Sequence, residues 1–192
     1  QRQMCIRDRY QGEYSEMKFT QARTGKQYRE IRTLYGSSFP RCEKKPFWLI
    51  KQKQRKGLVD IWNIEEAGEF VGLAITMKAG DLVLLDYFAI AKDKRGGGSG
   101  SHALKMLQKH YKDRRFFLEI ESTREESVNQ EQREMRKHFY LQNHMTELDM
   151  LVDVFGTEME VLTYQCSLNY AEYVSVYRDV YGKRKADRLK KR

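Results

Sequence analysis

The residues most able to do chemistry in this 192-residue chain lie between Lys92 and Ser101: Lys92-Asp93-Lys94-Arg95-Gly96-Gly97-Gly98-Ser99-Gly100-Ser101. They follow the apolar run Leu82–Ile90. They lead without a polar spacer into a segment with Ala103, Leu104, Leu107 and Tyr111 on one helical face. An apolar strand, a basic turn and a glycine run that opens a helix together make an anion site. Glycines let the backbone approach a ligand, and the first free N–H groups of the helix point at it. The positive end of the helix dipole adds attraction for phosphate, and Arg95 supplies a side-chain donor beside it. Elementary physics therefore expects a pyrophosphate binder.

Several familiar loops can be weighed against this segment. A flexible linker would be set off from its neighbours, whereas here strand and helix patterns abut the glycines directly. A P-loop needs Lys-Ser or Lys-Thr after its last glycine, and Ser101-His102 stand there. A nucleophile elbow needs G-x-S-x-G, and Gly97-Gly98-Ser99-Gly100-Ser101 ends in serine. The dinucleotide fingerprint is the serious rival. Gly98-x-Gly100-x-x-Ala103 fits it, with Glu119 following at about the expected ~20 residues. Its context differs, because the loop comes mid-chain after several consecutive strands and not in a first β-α-β unit.

Arg95-Gly96-Gly97-Gly98-Ser99-Gly100 resembles the [Q/R]-x-x-G-x-[G/A] signature of the Gcn5-related N-acetyltransferase (GNAT) superfamily at every fixed position. Arg136-Lys137-His138-Phe139-Tyr140-Leu141-Gln142-Asn143 is similar to that family's late motif, in which an F-Y or L-Y pair ends a helix shortly before a strand. The two motifs span about half the chain in the family's order. The resemblance implies a mixed, mostly antiparallel α/β sheet flanked by helices, with a C-terminal helix. It implies acetyl transfer from acetyl-CoA, as co-substrate, to a primary amine by direct attack. The loop Arg95–Ser101 would hold the pyrophosphate. Phe88, Ala89 and Ile90 match the strand segment against which the pantetheine arm pairs, and a backbone N–H there would stabilise the oxyanion. Tyr140 matches the tyrosine that protonates the departing thiolate in many members. Where the family continues to Gly-Phe, Asn143-His144-Met145 stands. Asn143 is expected to take the left-handed conformation and Met145 to fill the apolar pocket.

A general base is sought among carboxylates. Glu119 and Glu121 alternate onto one face of their strand, either to accept a proton or to pair with Lys and Arg on a solvated face. Glu65 and Glu66, near a hairpin turn, are weaker candidates. The acidic set Glu119, Glu121, Glu125 and Glu126 suits a cationic amine, either a small molecule or a protein amino group. A non-catalytic acetyl-CoA-binding protein, a nucleic-acid-docking protein, or less readily an NAD(P) binder is the competing class.

The elements that must position these groups can be read from periodicity. Met17-Lys18-Phe19-Thr20 feeds a first strand. Gln27–Tyr35 reads as a helix with Tyr28, Ile31, Leu34 and Tyr35 on one face, and Pro40 and Pro46 bound a break before a short helix from Phe47. Strands are expected over Leu58–Ile64, Phe70–Met77 and Leu82–Ile90, joined by turns at Gly68 and Gly80. A helix to about Tyr111, a strand Phe116–Glu121, a helix Gln130–Asn143 and strands Leu148–Val154 and Glu158–Leu168 follow. Tyr170, Tyr173, Val174, Tyr177 and Tyr181 form a last helical stripe, read as core or as a homodimer contact.

Composition bounds the rest. Residues 17–181 are expected to form one domain and residues 1–16 a disordered or non-native extension. No apolar run approaches the ~20 residues of a membrane span, and no signal peptide is visible at Gln1–Arg9. Cys5, Cys42 and Cys166 are scattered, which points to a reducing, cytoplasmic setting with no disulfide framework. No His or Cys spacing matches a metal site. Of the net charge of +9, six units come from Gly182–Arg192, with seven basic residues and Asp187. That segment is expected to be a solvated basic tail, with nucleic acid an unlikely partner.

Overall fold

A computed structural model describes residues 17–41, 43–124 and 126–192. The extension at 1–16, Cys5, Cys42 and Glu125 lie outside the described residues. The chain runs β1 (Met17–Gln21), α1 (Gly25–Ser38), α2 (Phe47–Arg55), β2 (Val59–Glu66), β3 (Glu69–Ala79), β4 (Leu82–Ile90) and α3 (Ser99–His110). It continues through β5 (Arg115–Glu121), α4 (Gln130–Gln142), β6 (Thr146–Val154), β7 (Thr157–Tyr164), α5 (Tyr170–Tyr181), α6 (Lys183–Ala186) and β8 (Lys190–Lys191). The strands form one sheet in the order β1-β2-β3-β4-β5-β7-β6-β8. Its pairs are antiparallel except β4 with β5, which α3 connects in parallel. This is the expected mixed, mostly antiparallel sheet with a C-terminal helix. No helix among the described residues is long and apolar enough to cross a membrane.

Both faces of the sheet are buried. One face carries Ile61, Leu73, Ile75, Tyr87 and Phe117 against Ile31 and Tyr35 of α1, Ile50 of α2, and Tyr173 and Tyr177 of α5. The other carries Ile64, Val83, Leu85, Leu118 and Ile120 against Ala103, Leu104 and Leu107 of α3 and Tyr140 of α4. Local signals set the helix ends. Thr24 with Gln27 and Asn169 with Glu172 form capping boxes at the starts of α1 and α5. At its other end α3 is anchored by a buried polar cluster. Tyr111 donates to Asp60 at 2.7 Å and accepts from Trp62 Nε1 at 3.0 Å. Satisfying these groups inside the core fixes the helix against β2 and β3.

Two departures from expectation matter for the site. A bulge interrupts the β3–β4 pairing: Leu85 lies opposite Thr76 and Tyr87 opposite Ile75, leaving Asp86 as the extra residue. The bulge changes the phase of β4, so Tyr87 and Ala89 face the α1/α5 side while Ile90 stays with the α3 side. The second departure is the basic C-terminus, expected to be a solvated tail. It folds back: α6 follows α5, Ala186 and Leu189 are buried, and β8 pairs antiparallel with β6. Arg192 meets Asp153 at 3.0 Å. The tail's apolar residues, Ala186 and Leu189, supply the burial that its charge count concealed.

Candidate functional site

The glycine loop leaves β4 through a short turn of 3₁₀ helix at Lys92–Lys94. Gly96 and Gly98 have φ of +87° and +85°, the left-handed region that glycine enters without strain. Gly98 is the N-cap of α3 and offers no side-chain cap. The first bond in the helix ladder is His102 N–H to the Gly98 carbonyl at 3.0 Å, so the N–H groups of Ser99, Gly100 and Ser101 are left for another acceptor. Gly96, Gly97 and Gly98 are exposed. Gly100 packs on the next layer, since a Cβ there would lie 3.5 Å from the Phe139 ring. Arg95 donates from Nε to the Ile90 carbonyl at 2.9 Å, which pins the guanidinium at the mouth of the loop. Ser99 donates to Glu66 Oε2 at 2.9 Å, and Asn63 donates to Glu65 Oε1 at 2.6 Å. Both weaker base candidates are thus tied up, Glu66 beside the glycine loop itself.

Between loop and sheet lies the feature that organises the site. β4 and β5 pair from Leu82↔Arg115 to Leu85↔Leu118 and then part. Among the described residues the β5-side edge of Asp86–Ile90 takes no strand, while its other edge remains bonded to β3. Phe88, Ala89 and Ile90 therefore border the opening where the two strands part, on the way to the glycine loop. On the other edge, Gly72 of β3 lies opposite Ile90, and a Cβ there would be 2.7 Å from the Ala89 carbonyl oxygen, so β3 pairs this closely with the segment only without a side chain at that position.

Tyr140 stands near the end of α4, 7 % exposed, with Phe139 edge-on at 5.2 Å. No hydrogen bond holds its hydroxyl among the described residues. Burial pushes its pKa up to about 12, with Arg136 pulling the other way. The phenol stays protonated at neutral pH and free to donate.

The turn after Tyr140 corrects one expectation. Asn143 has φ of −96° and caps α4, donating to the Phe139 carbonyl at 2.8 Å. The left-handed residue is His144, at φ +65°. Met145 is 3 % exposed within the α3-side core, as the substitution of Met for an aromatic requires.

Glu119 and Glu121 do not act as a pair. Glu119 accepts from the Tyr177 hydroxyl at 2.5 Å and from the Tyr173 hydroxyl, both on α5. Burial outweighs these donors and raises its pKa above the ordinary glutamate range. Glu121 meets Arg133 at 2.9 Å and Arg136 at 3.2 Å on α4. With each oxygen taken by a guanidinium, Glu121 is a strut between β5 and α4. The tyrosine stripe of α5 is core, as Tyr173 and Tyr177 are fully buried, and its hydroxyls serve Glu119.

Two residues that sequence reasoning passed over complete the site. Asp86 of the bulge binds Lys45 Nζ at 2.6 Å. Glu43, in the same α1–α2 connector, lies near Glu121 and has its pKa raised chiefly by burial. An acid inside the apolar run Leu82–Ile90 was the available signal for Asp86.

Comparison with known proteins follows the same lines. The sequence model of the acetyltransferase (GNAT) family matches residues 28–135. A GNAT-family protein from Bacteroides thetaiotaomicron superposes with a TM-score of 0.72 at 20 % identity, over 86 % of this chain and 99 % of that one. The ribosomal-protein-S18-alanine N-acetyltransferase from Escherichia coli gives 0.59 at 13 % identity, over 80 % and 96 % of the two chains. A GNAT-family acetyltransferase from Elizabethkingia anophelis, solved with acetyl-CoA bound, gives 0.54 at 13 % identity, over 81 % and 100 %. No curated protein matches the chain.

Proposed function

The chain belongs to the acetyltransferase (GNAT) family, and from that premise we propose that it moves an acetyl group from acetyl-CoA to a primary amine by direct attack. The observation that carries this reading is the unpaired edge of Asp86–Ile90. It runs from the open N-terminus of α3 into the cleft where β4 and β5 part. In the proposed complex the pyrophosphate sits on the N–H groups of Gly96–Ser101, and Arg95 adds a charged donor. The amides of pantetheine continue the sheet along Phe88–Ile90. One backbone N–H of that edge then donates to the thioester oxygen as it becomes an oxyanion.

The neutral amine attacks the acetyl carbon, the carbon–sulfur bond breaks, and Tyr140 gives its proton to the departing thiolate. Its unengaged hydroxyl supports that role. The proton released from the amine must leave by a base, and Glu119 suits the task better than Glu121. Burial raises its pKa and its two oxygens meet only neutral tyrosine hydroxyls, while those of Glu121 are held by two guanidiniums.

The test has two arms. Calorimetry with acetyl-CoA and with NAD(H) is expected to show binding of acetyl-CoA alone. Release of CoA thiol is then followed across a panel of amines. The Escherichia coli neighbour acts on an alanine of a ribosomal protein, so the panel includes peptide α-amines as well as small amines. Tight NAD(H) binding without acetyl-CoA binding would end this reading.

A further inference from the structure

Lys45 sits where the two strands part. Asp86 is the first β4 residue past the last β4–β5 pair, and Glu119 is the first on β5. The Lys45 ammonium lies 2.6 Å from Asp86 and within attraction of Glu119. It is 5.2 Å from the Tyr87 ring centroid, 5.6 Å from that of Tyr177 and 5.4 Å from that of Tyr181. Three aromatic faces and a carboxylate around one ammonium form a cage for a cation on an unbranched stem. The cage is not saturated. Asp86 Oδ2 and the Tyr181 hydroxyl are buried without a hydrogen-bond partner.

The ammonium is not needed to fix its loop. Tyr87 donates to the Glu43 carbonyl at 2.7 Å and accepts from the Lys45 N–H at 3.1 Å, and Tyr35 donates to the Lys45 carbonyl at 3.0 Å. These bonds between tyrosine hydroxyls and the backbone anchor the connector apart from the ammonium, so replacing the ammonium by another cation keeps both those anchors and a partner for Asp86.

Resting on the acetyltransferase reading, we infer that Lys45 occupies the pocket of the acceptor amine, which is therefore an unhindered primary alkylammonium, and that Lys45 is its built-in competitor. A thioester whose pantetheine follows Phe88–Ile90 reaches this point, and a cation replacing Lys45 meets the same carboxylates and rings. A guanidinium or a branched amine fits the cage less well than an n-alkyl chain, since a lysine stem now fills it.

The experiment uses the full chain with n-butylamine as acceptor. Lys45→Ala vacates the cage. Its KM for n-butylamine, read from N-butylacetamide formed, is expected to fall at least about tenfold below wild type. Acetyl-CoA binding by calorimetry should stay the same. Adding Asp86→Asn to that variant should cancel the gain. If Lys45→Ala does not fold, Lys45→Gln keeps bulk and a donor to Asp86 without the charge, and its KM should also fall. An unchanged or higher KM with acetyl-CoA still bound overturns the inference alone. Loss of acetyl-CoA binding in the wild-type chain would instead overturn the acetyltransferase reading and this inference with it.

Discussion

Gly97→Ala separates a phosphate cradle from a plain connector. A Cβ at Gly97 meets no atom within 4 Å, and its φ is not left-handed. The substitution should leave stability unchanged, or raise it by up to about 1 kcal/mol by restricting the unfolded chain. Gly98→Ala is its partner experiment. There too the Cβ has open space, but φ is +85°. Alanine in that conformation costs about 1–2 kcal/mol, a fall in Tm of about 2–8 °C for a chain of this size. The ligand sees both methyl groups in the same way. An N–H must come within about 2.9 Å of a phosphate oxygen, and a methyl in the open loop holds the phosphate away. Losing one charge-assisted bond costs about 1.5–3 kcal/mol, or about 10- to 150-fold in Kd. Calorimetry with acetyl-CoA beside thermal melts reads both quantities. Weakened binding is expected in both variants and a lowered Tm only in Gly98→Ala. Wild-type affinity in a normally melting Gly97→Ala would refute the cradle.

Tyr140→Phe keeps the ring against Phe139 and removes a hydroxyl that holds no partner among the described residues. Its Tm should be unchanged, while single-turnover transfer slows by about 10²-fold; full single-turnover activity would leave Tyr140 as packing. Glu119→Gln tests the buried carboxyl through pH. The folded state binds that proton more tightly than the unfolded chain, so wild-type stability falls as pH rises from the ordinary glutamate range to the raised folded value. The variant lacks that slope, and its Tm relative to wild type should climb as pH rises above the ordinary glutamate range; a flat difference would mean that the two tyrosine donors cancel the burial. Deleting residues 187–192 removes buried Leu189 and uncovers the edge of β6. It should cost about 1.5–3 kcal/mol from the leucine alone and promote association through the bared edge, seen in melts and light scattering; an unchanged Tm would restore the tail to solvent.

What was legible in the sequence was what depends on local pattern. The glycine run, the basic turn and the periodic apolar residues of α3 are contiguous, so strand, loop and helix could be read with their order and with the cleft-lining segment Phe88–Ile90. The aromatic pair at the end of α4 was legible for the same reason. Partners were not. Strand alternation put Glu119 and Glu121 on one side, yet their chemistry was decided by Tyr173 and Tyr177 in one case and by Arg133 and Arg136 in the other. Those residues are 54 and 58, and 12 and 15, positions away along the chain. The tail was misread because charge density outweighed two small signals, Ala186 and Leu189, which bury their apolar surface while the charged residues around them stay exposed.

The bulge at Asp86 was the least visible feature and the most consequential. Leu84 and Leu85 are both buried, on opposite faces, and a strict period of two would then send Tyr87 to the α3 side with Leu85. One extra residue opposite β3 reverses this. Tyr87 joins Tyr35 and Phe39 at 4.8 and 4.9 Å, its hydroxyl grips the α1–α2 connector, and Asp86 is turned to meet Lys45. The same residue marks where β4 leaves β5. A single insertion in the strand thus opens the cleft and re-aims an acid toward it, and it brings the connector that carries Lys45 over the opening. The two halves of the site, anion loop and amine cage, are coupled through Asp86–Ile90, five residues of one strand. A substitution that removed the bulge would therefore be expected to disturb acetyl-CoA and amine binding together, whereas Gly97→Ala should disturb only the first.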